Sequence, residues 1–355
     1  MSEPVAADSL GVLAALEGAP EQLTAAHESA GMAVDKGVLP KPEDFDNVVI
    51  MGMGGSGIVG EIVQSVGTGT LPVPVVVLKQ YRTPGFINER TLAFGVSYSG
   101  DTEETVEMSR GALEAGAHLI AVSSGGALAD LAHERNALHI PVEQGIPGPR
   151  FALCAMVAPV FVVLFRMGML PEAHATMVKA QQQLAQRRDQ CKPDIPSPKN
   201  PARELARRIG RTIPIIHGAG GLGAAAAMRW KQSINENAKA PAFWNAYPEL
   251  DHNEICAWGQ HGDVTRQVMT LVSLRHGMEH QQLDVRARLT QEIIEEAFAQ
   301  VLVVEGQGEG RLAQLLDLVY LGDWTSCYLA LDNDVDPGPI DAIAQLKSAL
   351  AAAAK

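Results

Sequence analysis

Cysteine is scarce in this chain and basic charge falls short of acidic, and each shortage removes a class of function. The four cysteines, Cys154, Cys191, Cys256 and Cys327, fall in no CxxC spacing, so reduced structural thiols are expected rather than a disulfide framework. There is no H-E-x-x-H and no His/Cys cluster at ligand spacing, so no metal site and no cofactor is predicted. Lys and Arg number 28 against 41 Asp and Glu, a net charge of −13, which argues against nucleic acid or an anionic membrane surface as the main partner. The longest apolar run, Phe151 to Phe165, stops at Arg166, is too short to span a bilayer and reads as a buried helix. The first twenty residues carry acids and no compact apolar segment, so no signal peptide is expected and a cytoplasmic location follows.

What is present is a rhythm of short apolar runs and amphipathic stretches. Residues 1–45 read as a helical segment closed by Pro40-Lys41-Pro42. Strands are predicted at Asn47–Met51, Val73–Leu78, Leu92–Ser97, His118–Val122 and Leu138–Val142, with helices such as Gly57–Ser65 and Thr102–Ala115 between them. A first domain over 46–165 is followed by a helical linker, 166–204, that contains the polar stretch Gln181–Lys199. A second domain over 205–355 has strands at Ile213–Gly218, Asp263–Leu274 and Val301–Val304 and ends in a helix, Ile340–Ala354. Val48-Val49-Ile50-Met51-Gly52-Met53-Gly54-Gly55-Ser56-Gly57 aligns with Pro214-Ile215-Ile216-His217-Gly218-Ala219-Gly220-Gly221-Leu222-Gly223, strand, glycine turn and helix in both. The expected fold is therefore α/β: two tandem doubly wound units, each a parallel sheet flanked by helices.

Both glycine turns satisfy G-x-G-x-x-G, which raises the dinucleotide reading. A carboxylate at the end of the second strand would then hold a ribose, but Val75-Val76-Val77-Leu78-Lys79-Gln80 offers none. A second loop, Ser97-Tyr98-Ser99-Gly100-Asp101-Thr102, points instead to a phosphate on a small metabolite. Gly54, Gly55, Ser56, Ser97, Ser99 and Thr102 can converge at the C-terminal edge of neighbouring strands, and a helix N-terminus adds a favourable dipole. The competing account makes these hydroxyls helix caps, with Asp101 and Glu104 forming a capping box. The acids Asp101, Glu103 and Glu104 would repel a phosphate unless they face away. Only the first turn carries a serine; the second has Leu222 in its place.

The hydroxyl-rich loops resemble those of sugar isomerase (SIS) domains. The second half narrows the likeness. Asn235-Glu236-Asn237-Ala238-Lys239, then Pro241-Ala242-Phe243-Trp244-Asn245, then Pro248-Glu249-Leu250-Asp251-His252-Asn253-Glu254, resembles the bifunctional phosphoglucose/phosphomannose isomerases, a likeness that runs through Pro149-Arg150 and from Pro339 to Leu346-Lys347. The resemblance implies an aldose–ketose isomerase of glucose 6-phosphate, mannose 6-phosphate and fructose 6-phosphate that works through an enediolate without a metal. It implies Glu236 as base, His252 as ring-opening residue supplied across a homodimer interface, Lys347 as its helper and Arg150 as the charge that stabilises the enediolate. A carboxylate base, an imidazole and a fixed guanidinium suit those tasks. Two alternatives stay open: a non-catalytic phosphosugar sensor, and an isomerase of a different phosphosugar. Asp101 stands where Asn is common in the family.

Overall fold

In the computed structural model, which describes residues 7–37, 39–171 and 173–353, nine strands form two parallel sheets. The first half contributes helices α1 (Val12–Glu17), α2 (Ala19–Asp35), α3 (Gly54–Gly67), α4 (Glu103–Glu114), α5 (Gly126–Glu134) and α6 (Leu153–Arg166). Its strands are β1 (Asn47–Met51), β2 (Val75–Leu78), β3 (Thr91–Val96), β4 (His118–Ser123) and β5 (Leu138–Pro141), in the order β2-β1-β3-β4-β5. Next come α7 (Ala173–Cys191) and α8 (Pro201–Ile209). The second sheet, β7-β6-β8-β9, is built from β6 (Ile213–Ala219), β7 (Phe243–Tyr247), β8 (Met269–Arg275) and β9 (Gln300–Glu305). Helices α9 (Gly220–Ser233), α10 (Gly262–Val268), α11 (Gln281–Ile294), α12 (Arg311–Asp332) and α13 (Asp341–Ala353) complete the chain. Residues 1–6 of the expected helical segment and Ala354 of the expected last helix lie outside the described residues.

The two sheets share one plan. In each, the second strand lies outside the first and the third lies on its other side, so the connections diverge between β1 and β3 and again between β6 and β8. A crevice forms at such a reversal, beyond the C-terminal strand ends, and ligands of open α/β sheets settle there. The strands β1 and β3 are buried on both faces, as a sheet covered by helices requires. The apolar run from Phe151 forms α6, buried along nearly its whole length against α2 and α3. Helix α12 is the common floor, packed on α7, α8 and α9 and buried from Leu312 to Ala330 apart from Gln314.

Three expectations need correction. The stretch Asp263–Leu274 is not one strand: Gly262–Val268 is helical, with Val264 and Val268 one turn apart, and the strand starts at Met269. Phe243–Tyr247, where no strand is expected, is a strand at the edge of its sheet, a place where the flanking prolines break no ladder. The polar stretch after Gln181 does more than link. Gln183 and Arg187 on α7 turn inward onto Asp317 of α12, with the Arg187 guanidinium bidentate at 2.8 and 2.7 Å, both side chains buried. Polarity there marks a buried ion pair between helices.

Candidate active site

The crevice between β1 and β3 receives both loops of the first unit. Gly54 opens α3 at φ +52°, a left-handed conformation that favours glycine, and Met53 before it supplies no side-chain cap. The first-turn amides of α3 are therefore left uncapped by any side chain at a dipole end suited to an anion. The hydroxyls divide into two kinds. Ser56 and Ser97 are buried and engaged within the protein: Ser56 Oγ accepts from the Tyr98 amide at 3.2 Å, and Ser97 Oγ accepts from the Gly100 amide at 3.1 Å and meets Thr102 Oγ1 at 2.9 Å. Ser99 is exposed and Thr102 half-buried. Ser97 and Ser99 thus part, one into the loop and one to the surface, because the chain leaves the strand at Val96.

One acid of this loop is engaged elsewhere. Asp101 Oδ1 accepts the Ala127 amide at 2.9 Å and so caps α5 from outside its own helix. The expected capping box does not form, because Thr102 occupies the N-cap position of α4 and makes no side-chain cap bond.

Beside the loops lies a cationic corner. Arg150 sits in the short turn Pro149–Phe151 with 2% of its surface exposed. Its Nε donates to Asn237 Oδ1 at 2.7 Å, and its Nη2 donates to the carbonyls of Pro337, at 2.9 Å, and Gly338. Its Nη1 faces Glu236 Oε2 at 4.0 Å. Burial presses the guanidinium below its usual range, and the Glu236 charge works the other way. Glu236 and Asn237 occupy a π-helical turn, Ile234–Ala238, that continues α9 until Lys239 ends it at φ +51°. The wider turn sends these neighbours in different directions: Asn237 is fully buried, whereas the Glu236 side chain keeps 21% of its surface. Such turns concentrate at functional positions. Lys239 Nζ donates to the carbonyls of Asn237, at 3.1 Å, and Asp336, at 2.6 Å. Burial, then the Arg150 charge, lowers its pKa.

A second layer holds the first. Arg229 donates to the Arg150 carbonyl at 2.5 Å and to Asp323 Oδ1 at 3.1 Å, and Ser233 Oγ donates to the same carboxylate oxygen. Burial raises the Asp323 carboxyl, with Arg229 opposing.

Two of the predicted residues stand apart from this corner. His252 ends a short turn, Glu249–His252, and is exposed. The turn itself is clamped on both sides. Asp251 accepts from Arg286 at 3.2 Å and Thr290 at 2.7 Å, while Glu254 accepts from buried His217 and from Asn245, each at 2.8 Å. Burial would raise the Glu254 carboxyl, but the hydrogen bonds from His217 and Asn245 outweigh it and hold it below its usual range. Lys347 lies on α13, every described residue of which is exposed, including Ile343, Leu346 and Leu350. The structure therefore joins Arg150, Glu236 and the glycine- and hydroxyl-rich loops, and leaves His252 and Lys347 on the surface of the single chain. Among the described residues, no group of three or more His, Cys, Asp or Glu side chains is arranged to hold a metal ion, and no helix is long and apolar enough to cross a membrane.

Sequence reasoning passed over Asn237, Lys239, Arg229 and Asp323. The signal for the first two was their place beside Glu236 in one motif; Arg229 and Asp323 carry none, since their pairing depends on how α9 meets α12.

Comparison with known proteins adds an independent line. Residues 198–350 match the family described as the bacterial phospho-glucose isomerase C-terminal SIS domain. A bifunctional phosphoglucose/phosphomannose isomerase of Caldicellulosiruptor bescii is 33% identical over 94% of this chain and 96% of its own length. The protein of the same name from Aquifex aeolicus is 31% identical over 86% of this chain and 91% of its own. The C-terminal domain of a glucosamine-fructose-6-phosphate aminotransferase from Francisella tularensis superposes with a TM-score of 0.65 at 16% identity, covering 93% of this chain and 98% of that one, a likeness of fold.

Proposed function

The chain belongs to the bifunctional phosphoglucose/phosphomannose isomerase family and is an isomerase of glucose 6-phosphate and mannose 6-phosphate; we propose that Glu236 and Arg150 perform its chemistry, with His252 and Lys347 assisting. The observation that carries this assignment is the free Nη1 edge of a buried, fixed guanidinium 4.0 Å from a carboxylate, next to a loop built for phosphate.

Glucose and mannose 6-phosphates differ at C2 alone, so both reach fructose 6-phosphate through one 1,2-enediolate. The phosphate is held by the α3 N-terminus, Gly54, Gly55, Ser99 and Thr102, while Ser56 and Ser97 brace the two loops from within. Glu236 takes the proton from C2 of the open aldose and returns it to C1, while the hydroxyl proton on O2 passes to O1; in the reverse direction the face of C2 that the enediolate turns towards Glu236 decides which epimer forms. Negative charge that builds on O1 and O2 meets Arg150 Nη1, a donor already oriented and shielded from water. Residues 46–165 form the unit that holds the phosphate, and 205–355 the unit that carries the base.

Ring opening falls to His252 and Lys347, and each reaches a site in a homodimer. Three features support a second copy: His252 is exposed on a turn clamped at both flanks, α13 has no covered face, and Ile343, Leu346 and Leu350 follow one apolar stripe along it. We propose a reaction that needs no metal. The four free cysteines support a reducing, cytoplasmic setting.

The test is a coupled assay on fructose 6-phosphate after EDTA treatment, with other phosphosugars in parallel. Formation of both aldose phosphates is expected. Ligand-dependent thermal stabilisation without turnover would establish a sensor instead, and turnover of another phosphosugar alone would move the substrate. Glu236→Gln is expected to lower kcat by about a thousandfold while binding persists; unchanged turnover removes Glu236 as base.

A further inference from the structure

We propose that Asn237 is a positioning residue: its side-chain carbonyl fixes the plane of the Arg150 guanidinium so that the Nη1 edge alone faces the atoms that react. The proposal rests on the isomerase mechanism above and extends it to a residue without a role there.

The donors of Arg150 account for themselves. Its Nε–H goes to Asn237 Oδ1 and its Nη2 hydrogens to the carbonyls of Pro337 and Gly338. Among the described residues only Nη1 is left without a hydrogen-bond acceptor, and it is the edge beside Glu236. The two carbonyls brace the Nη2 end and the Phe151 ring covers one face, its centroid 4.7 Å from the guanidinium carbon. The bond to Asn237 at Nε fixes the remaining side of the plane. The orientation of the amide follows from its other end. Ser326 Oγ donates to the Asp323 carbonyl at 2.8 Å, so toward Asn237 Nδ2, at 2.9 Å, it can only accept, and the amide oxygen must face Arg150.

A purely local role for Asn237 does not explain this arrangement. The end of the π turn is held by Lys239, which donates to the Asn237 backbone carbonyl and leaves the side chain free for Arg150. Neutrality of the amide matters as well. An aspartate at this position would keep the acceptor but pair with the guanidinium and add a like charge beside Glu236, which disfavours ionisation of that carboxyl.

The experiment compares wild type, Asn237→Ala and Asn237→Asp by two readouts. The first is exchange of the Arg150 Nε proton by 15N NMR, assigned through Arg150→Lys; it needs no activity. Slow exchange in the wild type and in Asn237→Asp, and exchange at least about tenfold faster in Asn237→Ala, is expected. The second is kinetics on fructose 6-phosphate. Asn237→Ala is expected to lose about tenfold or more in kcat with KM within about threefold, and Asn237→Asp to move the acid limb of the kcat profile to higher pH. A stability role would lower Tm in Asn237→Ala and leave kcat within about twofold, which overturns the proposal. So does rapid Nε exchange in the wild type. If Asn237→Ala does not fold, Asn237→Leu, of similar size but without the acceptor, decides: Nε exchange as slow as in the wild type together with unchanged kcat overturns it. A wild type without turnover would count against the isomerase mechanism, and the exchange measurement would then decide the positioning alone.

Discussion

The backbone of Gly55 lies against that of Arg150, so closely that a Cβ at Gly55 would meet the Arg150 nitrogen at 2.9 Å and its Cα at 3.0 Å. The loop proposed to hold the phosphate and the cation proposed to face the enediolate are thereby in direct main-chain contact. Gly55→Ala cannot be absorbed by a side chain swinging away, because the obstacle is main chain. It is expected to lower kcat/KM at least about tenfold, since a displacement of an ångström near reacting groups carries such losses. Steady-state kinetics with a matched thermal melt checks it; wild-type kinetics would show that the two segments move independently.

Chain mixing tests the proposal that two copies share each site. Glu236→Gln and His252→Ala are each expected to be nearly inactive alone. Refolded together, half the dimers are mixed and each mixed dimer has one intact site, so about a quarter of wild-type activity should return. If both residues served the same chain, the mixture would stay as inactive as its parents.

The α7–α12 ion pair predicts a stability effect away from the chemistry. Asp317→Ala leaves Arg187 buried and unpaired, and loss of one partner of such a pair removes about 3–5 kcal/mol. Urea melts measure it; a loss under about 1 kcal/mol would mean that water reaches the guanidinium.

The clamp on the His252 turn predicts a dependence on pH. The folded Glu254 carboxyl lies below its ordinary value of about 4.5, so its contribution is complete above that pH and is lost as the pH falls through the folded value. Melts of wild type and Glu254→Gln between pH 3 and about 6 should converge at the acid end, with the wild type more stable at the other. Parallel curves would assign the acid sensitivity to other carboxylates.

The sheets were legible in the sequence where the chain is most regular. Runs such as Val48-Val49-Ile50 are apolar on both faces, which few settings other than a covered parallel strand accept. The edge strand at Phe243 and the helix before Met269 were not, because a half-exposed element carries a weak apolar pattern. The motif around Glu236 nominated a base but could not tell that Asn237 turns inward, since a π turn breaks the 3.6-residue phase that sequence patterns assume. The outward Asp101 was likewise hidden: its partner, the Ala127 amide, belongs to another helix, and proximity of that kind appears only after the sheet is assembled.

The π turn at the end of α9 has a bearing on how such a site is gained and lost. It holds one residue more than a regular turn, so its chemistry is stored as surplus length rather than as side-chain identity alone. Deletion of one residue between Ile234 and Ala238 would let the helix close into an ordinary α-turn, more regular and better bonded, with Glu236 and Asn237 about 100° out of phase with Arg150. A deletion of one residue at this point is expected to abolish turnover while preserving the fold.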